Sequence, residues 1–570
     1  MPENCATIEM FMPAPNLFGF GTADLVEIAL AALLLALALA WRSRLSGYAE
    51  HLATRAGWCM LLLAALPVVL RLLLLPGHPV PRPEIYDEFS HMLVADTLRH
   101  FRLANPPHPM HRFFETFFVL QQPTYSSIYP IGQGLVLALG WTLFGLPWAG
   151  VLLAMAAFSA LCYWMLRAWT TPGWAFLGGL LAAIEFGPLN QWMNTYWGGG
   201  VTAVSGCLVF GSLPRLSRHP GRRDAFLLGL GLALHLITRP YEAIFLFLSA
   251  ALWFLPHLRS PSGMRSLLRV LPEVAFVLLP AVALVAAQNK AVTGRWTTMP
   301  EMLSQVQYGV PSAFTFQPNP VPQYPLTPQQ AMDYRMQLGF HGSHTDTLST
   351  FLLRLEYRVR YYRFFFPAPL YAALAAFLLC LRRWRYAWVA LTLALFALGV
   401  NFFPAFQLHY VAAAACLFVL AQVAGLERIH RFLPEAALLV VFLALAQFAF
   451  WYGLHACFDS AGFSVTARQY ETWDFIGHRV PTRRAAVEAA LERIPGKLLV
   501  FVRYSPRHIF QDEWVYNRAD IDASRIVWAR DLGDQEDRDL RRYYPNRSVW
   551  LLEPDNRPPL LEPYRNSITE

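Results

Sequence analysis

Apolar residues occur along most of the chain in runs that are as long, or nearly as long, as a membrane-crossing helix. Such a helix needs about 17–25 predominantly apolar residues. The runs predict about twelve spans, and therefore a mainly α-helical, polytopic membrane bundle. They lie at residues 22–41, 59–75, 147–167, 172–187, 199–214, 225–238, 242–257, 270–289, 367–381, 385–402, 407–425 and 433–452.

Arginine residues are concentrated in alternate connections between these runs. The Arg-rich connections are 42–58, 213–224, 257–269, 382–385 and 428–431, whereas 1–21, 188–198 and 403–406 contain no Lys or Arg. Basic loops stay on the cytoplasmic side of a membrane. Both termini and three long segments, 76–146, 291–366 and the tail after 453, are therefore expected on the outer side.

One further apolar run, residues 131–145, has two interpretations. It begins after Pro130 and ends at Gly145-Leu146-Pro147, and it could cross the membrane or lie at its surface. A crossing would invert the alternation of basic loops and place the bare connections inside. We therefore expect an interfacial helix.

The tail differs from the rest of the chain because it is charged and has no spanning run. Residues 482–494 have helical periodicity, and three β-rich runs follow at 498–502, 526–529 and 549–552, with a polar helix between the last two. This order predicts a small α/β domain at 453–570, beside a membrane domain at 1–452. The tail has no GxGxxG or Walker sequence that would indicate nucleotide binding.

The composition argues against a soluble protein, a nucleic-acid-binding protein and a zinc protein. Only 15% of the residues are charged, against about 25% in soluble proteins. The net charge of +8 comes with Arg residues in short loops between apolar runs, which indicates membrane lipids rather than nucleic acid as partners. The seven Cys form no CxxC or Cys/His ligand pattern, so a zinc site is not expected.

Candidate chemistry begins in the first long outer segment, where Tyr86, Asp87, Glu88 and His91 follow a span closely. Adjacent carboxylates beside a membrane are costly unless they are solvated, paired or functional. Asp87 or Glu88 could accept a proton from a hydroxyl group or hold a divalent cation. Alternatively, both are stabilised by the N-terminal dipole of a helix.

Cationic and aromatic residues elsewhere on the predicted outer side could bind an anionic group. Arg239 ends an apolar helix and could reach a lipid phosphate, pair with Glu242 or extend to headgroups. The other candidates are His409 and Tyr410, in or beside a span, and Lys290, Arg360 and Arg363 at the ends of the second long segment. Lipid headgroups alone would also explain these cations.

The acidic cluster after an early span, followed by Tyr129-Pro130-Ile131-Gly132 and an apolar helix, resembles the first external loop of the GT-C membrane glycosyltransferases. Relatives in that group include protein O-mannosyltransferases and the bacterial aminoarabinose transferase that acts on lipid A. The strings WGGG at 197–200 and TRPYEA at 238–243 are most similar to bacterial members without an assigned substrate. The similarity covers about residues 80–452, and the chain departs from the usual pattern by an extra span before the acidic loop.

The resemblance implies a GT-C fold in the bacterial inner membrane. It also implies transfer of a hexose or pentose from a polyprenyl-phosphate donor. The acceptor would be a lipid, glycan or protein on the periplasmic face. It implies that Asp87 is the catalytic base, with Glu88 as its neighbour or alternative. A divalent cation is a possible cofactor, at Asp87 and Glu88 if it binds. A transporter or flippase of a lipid-linked sugar is the competing interpretation. The expected donor-phosphate and substrate contacts are Tyr86, His91, Arg239, Glu242, Lys290, Arg360, Arg363, His409 and Tyr410.

Overall fold

The computed structural model describes residues 22–41, 52, 54–257, 261–342, 345–457, 476 and 483–564. Apolar helices make up most of this part of the chain, and a small sheet lies near its C-terminal end. The predicted fold class, a helical membrane protein with a C-terminal α/β unit, is confirmed. Residues 1–21, which were expected on the outer side, lie outside the described part of the chain.

Every apolar run predicted to span is helical. The helices that cover these runs are Thr22–Ala40, Ala56–Leu73, Pro147–Leu166, Pro172–Glu185, Gly200–Arg218, Arg222–Thr238, Pro240–Phe254, Pro261–Thr293, Tyr371–Phe377 with 3₁₀ turns on both sides, Trp384–Val400, Ala415–His430 with the 3₁₀ segment Leu408–Ala414 before it, and Pro434–Cys457.

The number of spans that meet a length and hydropathy criterion is smaller than the predicted count of about twelve. Among the described residues, five helices are long and apolar enough to cross a membrane, or six if one bent pair, Leu348–Phe365 with Ala368–Cys380, is a single span. Other apolar helices, such as Pro172–Glu185 and Pro240–Phe254, are only 14 and 15 residues long. Proline at the first position of each of these helices fixes where the helix begins.

Small residues allow the helices of the bundle to approach closely. A Cβ atom added to Gly206 would lie 1.8 Å from the carbonyl oxygen of Ala413, and one added to Gly425 would lie 1.8 Å from that of Ala373. Backbones therefore meet directly at these crossings, as is typical of helix packing within membranes.

The ambiguous run 131–145 forms a separate helix, Ile131–Phe144, which turns at Gly145 (φ 69°) into the following helix. The Trp141 ring of this helix lies 4.3 Å from the Arg99 guanidinium and 5.7 Å from that of Arg518. Both Arg residues lie outside the apolar bundle helices. The helix also packs on the bundle, because Gly140 meets the backbone of Gly150 and Gly132 meets Thr238. Its position at the membrane surface stays a prediction.

The extramembrane segments add short helices and two sheets. The helices are Tyr86–Arg99, Pro300–Tyr308, Pro328–His341, Leu348–Val359, Arg483–Glu492 and Asp534–Tyr543. A hairpin of β1 (Val119–Leu120) and β2 (Ser126–Ser127) lies in the first segment. The C-terminal strands are β3 (Leu498–Val502), β4 (Ile526–Arg530), β5 (Ser548–Glu553) and β6 (Leu560–Pro563).

The C-terminal sheet has the order β4-β3-β5-β6, in which the first three strands are parallel. The helices and these three strands were predicted from the sequence to within a few residues. Strand β6, antiparallel to β5, was not predicted. Its sequence follows two prolines, Pro558 and Pro559, and ends in Pro563, and proline usually indicates a turn or a sheet edge.

This sheet packs on the helix Tyr86–Arg99, which we call the acidic helix. The rings of Phe89 and Tyr516 are stacked with centroids 4.6 Å apart. The backbone amide of Ala519 donates a hydrogen bond of 2.9 Å to the Asp96 carboxylate. The C-terminal sheet therefore helps to fix the position of the acidic helix.

Candidate active site

The acidic helix begins after Ile85 and is capped by Glu88. One carboxylate oxygen of Glu88 accepts hydrogen bonds from the backbone amides of Glu84 (2.8 Å) and Ile85 (3.4 Å). The other accepts one from the Tyr196 amide (2.9 Å). Glu88 is only 1% exposed. Both of its oxygens therefore serve to hold the helix start against the segment that contains Tyr196.

Asp87 precedes this buried cap but has a different environment. Its side chain is partly exposed, and it accepts hydrogen bonds from the Tyr129 hydroxyl and the Trp197 indole. It forms no ion pair with any residue that the structure describes. Burial raises the pKa of Asp87 to about 6, although the two hydrogen bonds act in the opposite direction. Asp87 is thus a carboxyl group that can take up or release a proton near neutral pH.

Trp197 reaches Asp87 from a bend in which Gly198 and Gly199 have φ values of 117° and 112°. These values favour glycine. A Cβ atom on Gly199 would also lie 2.5 Å from the Trp192 ring. The glycines of the WGGG string therefore allow the tight bend that presents Trp197.

The Tyr129 ring, whose hydroxyl bonds Asp87, belongs to a group of aromatic rings in mutual contact. The Tyr129 ring stacks on His91 with a centroid distance of 4.2 Å, and Tyr86 lies 4.9 Å from Phe118. Burial, with a further contribution from the Arg239 charge, lowers the pKa of His91 to about 3. His91 is consequently neutral, and its buried Nδ1 has no hydrogen-bond partner among the described residues.

Arg239 is the cation of this region, and it is paired. Its Nε and Nη2 donate hydrogen bonds of 2.7 and 2.6 Å to the Glu242 carboxylate, and its guanidinium lies 4.2 Å from the Tyr410 ring centroid. His409 lies beside Tyr410 (4.9 Å) and Trp197 (5.3 Å). A continuous set of contacts therefore joins Arg239 through Tyr410, His409 and Trp197 to Asp87.

Three of the sequence candidates make their contacts elsewhere. The Lys290 ammonium is exposed and donates a hydrogen bond of 2.7 Å to the Gly294 carbonyl. Arg360 lies over the Tyr357 ring at 4.5 Å, and the Arg363 side chain is exposed. The structure brings together the other candidates: Tyr86, Asp87, Glu88, His91, Arg239, Glu242, His409 and Tyr410.

Two carboxyl groups in the same region were not singled out from the sequence. Burial raises the pKa of both Glu301 and Asp333 to about 7. Glu301 is affected by the charges of Arg239 and Glu242, and Asp333 by that of Asp87. Nothing in the local sequence distinguishes them. Glu301 is the second residue of the helix Pro300–Tyr308, and Asp333 lies within the helix Pro328–His341.

No group of three or more His, Cys, Asp or Glu side chains that could hold a metal ion occurs within the described ranges. Glu88, one of the two residues suggested for a divalent cation, has its oxygens directed at backbone amides. Asp87 remains the single carboxylate of that pair that faces the site.

No protein-family model and no curated protein matches the chain. Solved structures do match. ArnT from Cupriavidus metallidurans is 13% identical, with a TM-score of 0.48 in the apo state over 88% of this chain and 93% of that one. Its undecaprenyl phosphate complex gives a TM-score of 0.49 over 87% and 93%.

A second match is the archaeal oligosaccharyltransferase AglB from Archaeoglobus fulgidus, in complex with an inhibitory peptide and a dolichol-phosphate. It is 12% identical, with a TM-score of 0.33 over 77% of this chain and 62% of that one. The resemblance to the GT-C membrane glycosyltransferases stays a prediction from the first external loop.

Proposed function

We propose that the protein is a GT-C-type glycosyltransferase that moves a sugar from a polyprenyl-phosphate donor to an acceptor hydroxyl, with Asp87 as the general base. The observation that carries the proposal is Asp87 itself. It is a partly exposed carboxyl group with an elevated pKa, it has only neutral hydrogen-bond donors, and it faces an aromatic surface. A base is most effective when its pKa lies near the working pH.

The reaction is a direct displacement. The acceptor hydroxyl gives its proton to the Asp87 carboxylate while the acceptor oxygen forms a bond to the anomeric carbon of the sugar. The bond from that carbon to the phosphate oxygen breaks, and the polyprenyl phosphate leaves with the electron pair. Arg239, held in place by Glu242, stabilises the charge that develops on the phosphate.

The proposed setting is the inner membrane of a bacterium, with several spans and the site on the periplasmic face. The membrane domain is residues 1–452, and the C-terminal domain is 453–570. The contacts of Tyr516 and Ala519 with the acidic helix support a common side for the site and the C-terminal sheet.

The variant Asp87→Asn tests the assignment. Asn cannot accept the proton, so we expect transfer to fall by about 10²–10⁴-fold while the protein still folds and inserts. Mass spectrometry of envelope glycans and glycoproteins, from cells with the wild-type or variant protein, measures the product. Asp539→Asn is the control, because Asp539 is exposed and distant from the site in the sequence.

Two results would reject the proposal. One is a fully active Asp87→Asn protein. The other is movement of a lipid-linked sugar across vesicles that contain the wild-type protein, without any glycosylated product, which would identify a transporter.

A further inference from the structure

The helix Leu348–Val359, which we call the surface helix, joins the second extramembrane segment to the apolar helix that follows. The surface helix and the 3₁₀ turn after it, together Leu348–Phe365, make an angle of 111° with the helix Ala368–Cys380. If the second of these follows the membrane normal, the first must run close to the membrane plane. A bent pair of this kind does not cross the membrane as one straight span.

One stripe of the surface helix is apolar and exposed. Leu348, Leu352, Leu355 and Val359 are spaced by four, three and four residues, which places them on one side of a helix. The exposed fractions of Leu348, Leu352 and Val359 are 75%, 52% and 61%. In water these three side chains would form a costly apolar surface.

The neighbouring side of the surface helix is fixed to the protein by two Arg side chains. Arg358 is 4% exposed, and it donates hydrogen bonds to the carbonyl groups of Val400 (3.0 Å), Phe403 (2.7 Å) and Pro404 (2.7 Å). Arg354 pairs with Asp346 and donates to the Asn401 carbonyl at 2.8 Å. The orientation of the apolar stripe is therefore set by the fold.

Cations and phenol rings follow at the end of the surface helix. Arg360 lies over the Tyr357 ring at 4.5 Å, the Tyr361 hydroxyl donates to that of Tyr357 at 3.0 Å, and the Arg363 side chain is exposed. Neither Arg360 nor Arg363 forms a salt bridge within the described parts of the chain. Tyrosine and arginine are the side chains that best suit the boundary between acyl chains and lipid phosphates.

We infer that the surface helix lies in the membrane interface, with its Leu/Val stripe in the acyl boundary, and that Arg360 and Arg363 bind the phosphate groups of bilayer lipids. We assign this stripe to the lipid surface because it is continuous with the apolar helix Ala368–Cys380. Arg360 and Arg363, which have no salt bridge among the described residues, lie where the two helices join. This inference does not depend on the proposed function. It assigns Arg360 and Arg363 to the bilayer rather than to the donor phosphate.

Nitroxide accessibility in the full-length chain tests the position of the stripe. Single labels are introduced as Leu352→Cys and Ser349→Cys, on a background with Cys5→Ser, Cys380→Ser and Cys457→Ser, in vesicles of phosphatidylcholine and phosphatidylglycerol. We expect the label at 352 to be more accessible to oxygen than to an aqueous nickel chelate, and the label at 349 to show the opposite. Equal aqueous access at both positions would overturn the inference, and so would dipolar coupling between labels of two copies.

A second measurement tests the Arg residues. In vesicles with spin-labelled phosphatidylglycerol, we expect the Arg360→Gln/Arg363→Gln protein to lose the preference for this lipid by about fivefold for each Arg. The matched control is Arg507→Gln/Arg542→Gln, a pair of exposed Arg residues in the C-terminal domain. An unchanged preference in the first variant, or loss of the preference only when a polyprenyl phosphate is added, would overturn the lipid assignment.

Discussion

The region around Asp87 and the region around Arg530 both bury charge, but they satisfy it in different ways. Arg530 pairs with Glu513, donates to Gln329 at 2.7 Å and donates to the Glu115 carbonyl at 2.5 Å. The side chains of Arg530 and Glu513 are 5% and 0% exposed. Asp87, in contrast, is partly exposed and has only neutral donors.

This difference separates a structural role from a chemical one. The Arg530 pair joins the first segment (Glu115), the second segment (Gln329) and the C-terminal sheet, and every charged atom in it has a partner. A carboxylate without a cation is penalised by burial, so its pKa rises, and it can exchange a proton with a ligand. Groups of this second kind occur preferentially at functional sites.

Arg530→Met should have the largest effect on stability. It leaves the Glu513 charge buried and uncompensated, which typically costs about 3–5 kcal/mol. We expect a lower melting temperature and faster proteolysis of the three joined segments in the purified protein. Arg542→Met is the control, because its pair with Asp539 is 79% and 60% exposed and such pairs contribute about 0–1 kcal/mol. An equal loss of stability in Arg530→Met and Arg542→Met would contradict the stabilising role of the buried pair.

Glu88→Gln should have a smaller effect, and it separates the two neighbouring carboxylates of the acidic helix. Gln has one acceptor oxygen in place of two, so either the helix start or the Tyr196 amide loses its acceptor. We expect destabilisation of about 1–3 kcal/mol, measured by thermal unfolding, with transfer retained in the folded protein. Glu492→Gln, at an exposed helix end, is the control. Loss of transfer in folded Glu88→Gln would move the role of base from Asp87 to Glu88.

The sequence was informative where a local pattern decides the structure. Hydropathy located the apolar helices, and alternation of strands and helices located β3, β4 and β5. The residues alone left Asp87 and Glu88 equivalent, and only the family resemblance favoured Asp87. The physical distinction depends on Tyr129, Trp197 and Tyr196, of which the nearest is 42 residues away in the chain. Glu301 and Asp333 were missed for the same reason, since only the tertiary fold places Glu301 near Arg239 and Asp333 near Asp87.

The pH dependence of transfer gives the finest test of the Asp87 environment. A general base acts in its deprotonated form, so activity should fall as the pH decreases through about 6, the pKa of Asp87. Protonation of Asp87 is easier in the folded state than in the unfolded chain, because burial raises its pKa above the ordinary 3.8. The contribution of this group to stability therefore grows as the pH falls through 6, opposite to its effect on activity.

Tyr129→Phe removes one of the two side-chain hydrogen bonds that lower the pKa of Asp87. The carboxylate becomes harder to form, so the acid limb of the activity profile should move to higher pH, by about one unit for a hydrogen bond to a charged group. Tyr125→Phe is the matched control, because the Tyr125 hydroxyl donates to the Asn517 carbonyl at 3.0 Å instead. An acid limb that stays in place in Tyr129→Phe, or that moves equally in both variants, would show that the limb reports a group other than Asp87. A shift confined to Tyr129→Phe would assign the acid limb to Asp87, because a general loss of stability would affect the Tyr129 and Tyr125 variants alike.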